Sequence, residues 1–273
     1  MMLKKMVMLR RLSQAFFLIL FIYILWSNRY PFTGLIKPDI LFKIDPFIIM
    51  MVSLGSRVLL SGAVISIVML AIALIVGRYF CGWVCPLGTA IDMTAAVKKR
   101  HIILPDKSSA ALRKVKFYLL GIFFLMALAG AQAASIFDPL VIASRFVSMH
   151  MIPALTHLFN ASSSVRVFYF AHSPAILILF LIISAASLAV RRLWCRLFCP
   201  LGAIYSLIGR LSPLRRSVDG CAECGNCRNS CRMGAIKEDF SYTQGECILC
   251  MDCIYDCPKR ITRFTFFGSR RPS

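Results

Sequence analysis

Acidic residues are scarce in this chain. Of 273 residues, 12 are Asp or Glu against 32 Lys or Arg, and only 16% are charged at all. Soluble domains run closer to a quarter charged, so a globular enzyme with a fully solvated surface is excluded. Disorder is excluded as well, because 59% of the residues are hydrophobic. Histidine is rarer still, four in all, and no pair falls within one apolar stretch, which argues against a bis-histidine haem wire. What the chain has instead is long apolar stretches, the mark of an α-helical membrane protein. The net charge of +20 is compatible with nucleic acid, but basic residues beside apolar spans mark cytoplasmic membrane faces.

Four stretches are expected to span the membrane: 12–26, 58–76, 117–134 and 173–190. Crossing the hydrocarbon core takes about 20 helical residues, so the first looks marginal and the others adequate. The basic residues sort cleanly around them. Lys4, Lys5, Arg10 and Arg11 precede the first stretch, the middle loop carries eight, and fourteen follow Val190. The first loop has four spread over some thirty residues, and the third has only Arg145 and Arg166. The positive-inside rule then places both termini and the middle loop in the cytoplasm, for a multi-pass protein of the bacterial inner membrane with no nucleic-acid partner. The charged start resembles a signal peptide and Arg10-Arg11 a twin-arginine signal. No small-x-small site follows Trp26, and Leu12-Ser13-Gln14-Ala15 fits the twin-arginine pattern poorly, so the first helix is read as retained.

The strongest signal lies in the tail. Cys221-x2-Cys224-x2-Cys227-x3-Cys231 is followed by Cys247-x2-Cys250-x2-Cys253-x3-Cys257-Pro258. This is the two-cluster ferredoxin spacing, in which the fourth cysteine of each run ligates the other cluster. Cys221, Cys224, Cys227 and Cys257 are therefore assigned to one 4Fe–4S cluster, and Cys247, Cys250, Cys253 and Cys231 to a second. Structural zinc sites use paired Cys-x2-Cys knuckles instead, and a cytoplasmic tail is too reducing for disulfides. Arg232 stands where a proline usually follows the fourth cysteine.

The other four cysteines form an internal repeat. Arg78-x2-Cys81-x3-Cys85-Pro86-Leu-Gly88 follows the second stretch, and Arg192-x2-Cys195-x3-Cys199-Pro200-Leu-Gly202 follows the fourth. Each half also opens on an Asp-Pro, Asp45-Pro46 and Asp138-Pro139. The membrane part, residues 1–210, thus reads as two related helix pairs about a pseudo-two-fold axis, with a small α+β two-cluster domain over 211–273. Under that symmetry Cys81, Cys85, Cys195 and Cys199 converge, and a tetrathiolate suits a soft metal or a redox dithiol. The alternative is four small buried residues at a packed interface.

These motifs together resemble the NapH family of ferredoxin-type membrane proteins and its MauN-like relatives, over essentially the whole chain. The likeness includes the opening Leu9-Arg10-Arg11-Leu12-Ser13-Gln14. It implies a quinol dehydrogenase component that takes electrons from menaquinol or ubiquinol. It also implies iron–sulfur or cytochrome partner subunits that serve a periplasmic respiratory reductase, as in nitrate respiration. The same motifs occur in a copper-oxidase assembly family and in regulators of nitrous-oxide reduction. A metallocentre-assembly or metal-reducing factor and a redox-sensing membrane anchor are therefore the competing readings.

Quinol oxidation releases two protons, which a carboxylate or histidine must take. Asp45 and Asp138 are the symmetric candidates, although Asp before Pro is also a helix cap. His150, His157 and His172 lie in the third loop. The apolar segments 47–54 and 139–151 are expected as short interfacial helices roofing a quinone pocket.

Overall fold

The computed structural model describes residues 2–28, 36–58, 60–98, 101–131, 133–159, 173–218, 220–221 and 223–267. His172 lies outside them, and the side chain of His157 is likewise not described. The chain is mostly helical. Helix α1 (Met2–Ser27) leads a first half made of α2 (Asp39–Lys43), α3 (Pro46–Ser56), α4 (Ala63–Val76), α5 (Tyr79–Trp83) and α6 (Pro86–Ala96). Helix α7 (Asp106–Leu128) leads a second half made of α8 (Pro139–Phe146), α9 (Ile152–Phe159), α10 (Ser173–Ala189), α11 (Leu193–Leu197) and α12 (Pro200–Gly209). The tail holds β1 (Leu214–Val218), α13 (Asn226–Ser230), α14 (Asp252–Tyr255) and β2 (Thr262–Phe266), with β1 and β2 antiparallel and Arg216 opposite Phe264.

The halves are exchanged. The long apolar helix of each packs on the short motif helix of the other, α4 on α12 and α10 on α6, while α1 and α7 lie against α6 and α12 of their own halves. Apolar rings fill the centre: Phe47, Phe123, Phe137 and Trp194 run edge to face and stacked, with Phe80 and Tyr205 paired beside them.

Four helices begin on the same device. Asp45, Cys85, Asp138 and Cys199 each adopt an extended backbone, precede a proline at the first helical position, and accept N–H bonds from the first turn. The repeat in the sequence is thus a repeat of capped helix starts aimed inward.

The expectation of four spans is met only in part. Among the described residues, two helical stretches are long and apolar enough to cross a membrane, Lys5–Ser27 and Pro139–Thr156. The first, expected to be marginal, is full length because Arg10, Ser13 and Gln14 are helical and docked inside the protein. The second was expected as a short interfacial helix. It runs on because a π-helical turn at Val147–Met151 absorbs Pro153 without breaking the axis. Of the expected spans 58–76 and 173–190, the apolar helices cover 14 and 17 residues. Helix α4 begins only at Ala63, and Gly77, at φ 86°, ends it. Of the stretch expected at 117–134, only residues 117–128 are helical in α7, as its second half, and the first half of α7 carries Lys107, Arg113, Lys114 and Lys116.

Candidate redox site

The structure brings the cysteines of each tail quartet close to one another. Cys221, Cys224, Cys227 and Cys257 line one cavity between β1, α13 and the loop before β2, and every residue lining it belongs to the tail. Around the middle cysteine of each run the backbone alternates left-handed residues in the same way. Glu223 and Gly225 flank Cys224, and Leu249 and Met251 flank Cys250. Such alternation turns successive N–H groups inward into a concavity that suits an anionic iron–sulfur cluster. Sulfur acceptors are already supplied with donors: Ala235 N–H to Cys231 Sγ at 3.2 Å and Leu249 N–H to Cys247 Sγ at 3.4 Å. The residues therefore fit two 4Fe–4S clusters.

The quartets differ in setting. Burial pushes Cys247 up to about 11 and Cys250 up to about 12, and Cys253 well above the usual thiol value. In the other quartet burial works against Cys257 too, but N–H and hydroxyl donors from Ile261 and Thr262 outweigh it and lower that thiol. Cys224 is exposed.

The quartet containing Cys247 is held against the membrane half by backbone contact. A Cβ on Gly82 would lie 2.2 Å from the carbonyl oxygen of Ile248, so only glycine admits the approach. Next to it, Trp83 Nε1 donates to Leu249 O at 3.1 Å. Cys81-Gly82-Trp83 therefore runs along Cys247-Ile248-Leu249. Glu246, 2% exposed, accepts from Arg78 Nη1 at 2.8 Å, Lys116 Nζ at 2.6 Å and Ser206 Oγ at 3.1 Å. Arg232 explains the missing proline. Its guanidinium reaches Asp252 Oδ2 at 2.5 Å and Asp92 Oδ2 at 3.1 Å, joining the tail to α6.

Cys81, Cys85, Cys195 and Cys199 are all buried in one core cluster. After burial, Cys81 and Cys195 are what push the Cys85 thiol up, and Cys195, Cys81 and Cys85 act on Cys199. Their arginines cross between halves. Arg192 clamps Asp92 through Nε at 2.8 Å and Nη2 at 2.7 Å and donates Nη1 to Cys81 O at 2.5 Å. Arg78, fully buried, interacts electrostatically with Cys81, Cys199 and Cys195, while its Nε and Nη2 have no partner. Among the described residues no three His, Cys, Asp or Glu side chains could hold a single metal ion.

The two aspartates are both caps and a pair. Asp45 Oδ1 accepts from Phe47 N at 2.8 Å and Ile48 N at 3.3 Å, and Asp138 Oδ1 from Leu140 N at 2.8 Å and Val141 N at 3.0 Å. Each leaves Oδ2 without a donor, and the carboxyls lie within hydrogen-bonding reach of one another. Burial raises both, and two carboxyls so close disfavour ionising together. Tyr205 is fully buried with an unpartnered hydroxyl, and after burial the nearby Cys81 and Asp45 hold that hydroxyl above its usual value. Neither Tyr205 nor Glu246 is singled out by the sequence. Both lie beside motif residues, but only the packing gives them a role.

A family model described as "4Fe-4S binding domain" matches residues 58–105 and 173–218, the two copies of the repeat. The chain is 30% identical over 272 residues to the uncharacterized protein MJ0750 of Methanocaldococcus jannaschii, covering 98% of this chain and 99% of that one. It is 27% identical to the ferredoxin-type protein NapH of Haemophilus influenzae, covering 94% of this chain and 88% of the other. It is 29% identical to the putative electron transport protein YccM of Escherichia coli over 69% of this chain, and that match spans about half of YccM, 51%. No solved structure matches. With its repeats, its tail and its first-helix docking motif, the chain belongs to the NapH-like family of ferredoxin-type iron–sulfur electron-transport proteins.

Proposed function

We propose that the chain is a quinol-linked electron-transfer subunit of the bacterial inner membrane. Its four spans would be built on α1, α4, α7 and α10, with both termini in the cytoplasm and two tail clusters held by the quartets above. It would exchange electrons between the membrane quinol pool and iron–sulfur or cytochrome partners of a respiratory reductase. Large apolar side chains exposed on all four helices, such as Phe16, Val64, Leu125 and Ile182, support a lipid-facing belt.

The observation that carries the quinol reading is the carboxyl pair beside an apolar cleft. That cleft, about 630 Å³, is lined by Pro46, Ile49, Ser66, Leu70, Leu128 and Ile204 among others. It therefore reaches the chain neighbours of Asp45 and Tyr205, and its volume suits a ring-sized ligand. Oxidising a quinol to a quinone yields two electrons and two protons. The Asp45–Asp138 pair, holding one proton between two carboxyls, has room for one more. It takes the first quinol proton, passes one on to water, and takes the second. Clusters in the tail, when bound, supply one-electron acceptors that split the pair of electrons. The reading in which a single copper ion is reduced at the four thiols draws no support from the described residues, which offer no single-ion site.

The test is anaerobic. In detergent, a menaquinol or ubiquinol analogue should reduce the clusters, or the quinone should oxidise pre-reduced ones, as followed by EPR, and a quinone-site inhibitor should block the exchange. Asp45→Asn with Asp138→Asn should slow it at least about tenfold with iron content intact. A double variant that loses thermal stability but keeps the rate would reduce the aspartates to caps.

A further inference from the structure

We infer that the cavity between the loop before α7, the start of α11 and α13 is a binding site for a phosphate group, carried by an anionic lipid or by a soluble phosphate. The inference rests on the cavity and its charges and not on the quinol reading.

The cavity holds about 310 Å³, a volume that suits a small ligand. Arg191, Arg196 and Arg228 line it together with His101 and Asn229. His101 comes from the loop before α7, Arg191 from the turn after α10, Arg196 from α11 and Arg228 from α13 in the tail. The site is therefore complete only where the tail is docked on the helical region. Among the described residues one carboxylate lines it, Asp106, and its Oδ2 is already engaged by the Glu238 N–H at 2.7 Å. Arg228 pairs with Glu238 at 2.6 Å, but that carboxylate is 61% exposed, and a surface ion pair of this kind is weak and exchanges readily. The hydrogen bonds of the other two arginines end on carbonyl oxygens, Arg191 Nη1 on Ser230 O at 3.5 Å and Arg196 Nη2 on Arg232 O at 2.7 Å.

Arg196 makes the demand for an anion specific. It is 6% exposed, and its Nε has no partner. A Cβ on Gly234 would come 3.0 Å from its Nη1, so the guanidinium lies close against that backbone. Arg113, which donates to Met233 O at 3.2 Å, adds a like charge close by. A buried guanidinium short of counter-charge is costly. A cluster on Cys231, which lines the same cavity, offsets part of the Arg196 charge and leaves Arg191 and Arg228 for an added anion. Guanidinium forks arriving from three elements match the oxygens of a tetrahedral phosphate better than those of one planar carboxylate.

Beside the cations stand Ile102 and Ile103, 60% and 44% exposed, which line the cavity too. Cationic and apolar side chains together are what a lipid headgroup meets at a membrane face, whereas a free phosphate needs only the cations. An anion here also has an electrical consequence. Negative charge next to Cys231 disfavours adding an electron to a cluster on that thiolate and lowers its potential. That consequence rests on the cluster assignment above, and the phosphate site does not.

The test uses full-length protein, purified anaerobically in detergent with its iron counted, and two probes. Inorganic phosphate is titrated by calorimetry, and phosphatidylglycerol in mixed micelles is followed by native mass spectrometry. At least one should bind saturably, one per chain. Binding of the lipid alone assigns a headgroup, and binding of inorganic phosphate, alone or displacing the lipid, assigns a soluble phosphate. In Arg191→Gln with Arg228→Gln the affinity for the bound probe should fall at least about tenfold with iron unchanged. Arg191→Gln alone serves where the double variant loses iron. The bound probe should also lower the potential of one tail cluster in an EPR redox titration and leave the other unmoved. Binding without that shift would refute the cluster ligation by Cys231 and keep the phosphate site. No binding of either probe to the wild type, or undiminished binding to an iron-replete variant, would overturn the inference.

Discussion

The two halves of the helical region meet the same requirement by different means. Each sends an arginine across the axis, and each arginine is fully buried and needs an anion. In the first half the anion is built in: Asp92 lies on α6 and takes Arg192 with both oxygens. In the second half the equivalent position on α12, seven residues after the motif's last cysteine, is Ser206. The anion for Arg78 comes instead from the tail, as Glu246, which Ser206 helps to hold. The difference teaches why the tail is where it is. The tail supplies the charge that α12 lacks, and the quartet containing Cys247 is thereby fixed beside Cys81.

This comparison can be broken from either side. Asp92→Asn should have the largest effect. It strips a bidentate partner from buried Arg192 and also loosens Arg232 and Gln14, which both reach Asp92 Oδ2. Removing one partner of a buried pair costs about 3–5 kcal/mol, and here a thermal melt in detergent should show it as a loss of the whole fold. Glu246→Gln should cost almost as much but be read out elsewhere. Arg78 and Lys116 lose their counter-charge, and limited proteolysis should release the tail while the membrane helices stay folded. Adding Ser206→Asp to that variant should recover about 1–2 kcal/mol by giving the second half the carboxylate the first already has. If it recovers nothing, the two positions are not equivalent.

Gly82→Ala probes contact without charge. Its methyl group would collide with the backbone carbonyl of Ile248, which cannot rotate aside, and overpacking of this kind costs about 1–3 kcal/mol. The expected result is slower reduction of the inner cluster by membrane-side donors, with iron retained. The smallest effect is in pH. Burial works against the Asp92 carboxylate, but Arg192 and then Arg232 outweigh it and hold it well below the usual carboxylate range. Its contribution is therefore complete above about pH 4, its unfolded value, and fades as pH falls through the lower folded value. The stability difference between wild type and Asp92→Asn should therefore be flat from pH 8 to pH 5 and shrink only in stronger acid.

Much of this was legible in the sequence, and what was not has physical reasons. Cysteine spacing alone was enough to group the eight tail cysteines into two proposed quartets, because cluster ligation is a local pattern. The repeat was readable because Asp-Pro and Cys-Pro are cap signals that work within one turn. Helix lengths were not: polar Arg10 and Gln14 hid the start of α1, and Pro153 hid the continuity of the helix after Asp138. The role of Glu246 was invisible for another reason. It depends on Arg78 and Lys116, residues 168 and 130 positions away in the chain, and no periodicity reports a contact at that range.

The central claim is that the tail, pinned by Glu246 to the four-thiol end of the membrane domain, exchanges electrons with quinol through that junction. The most direct measurement is EPR-monitored exchange between a quinol analogue and the tail clusters, in wild type and Glu246→Gln side by side, with iron counted in both. The account predicts exchange in the wild type and its loss, by at least about tenfold, in a variant that keeps its tail iron. Equal rates in the two proteins, or no exchange in either direction in the wild type, would contradict it.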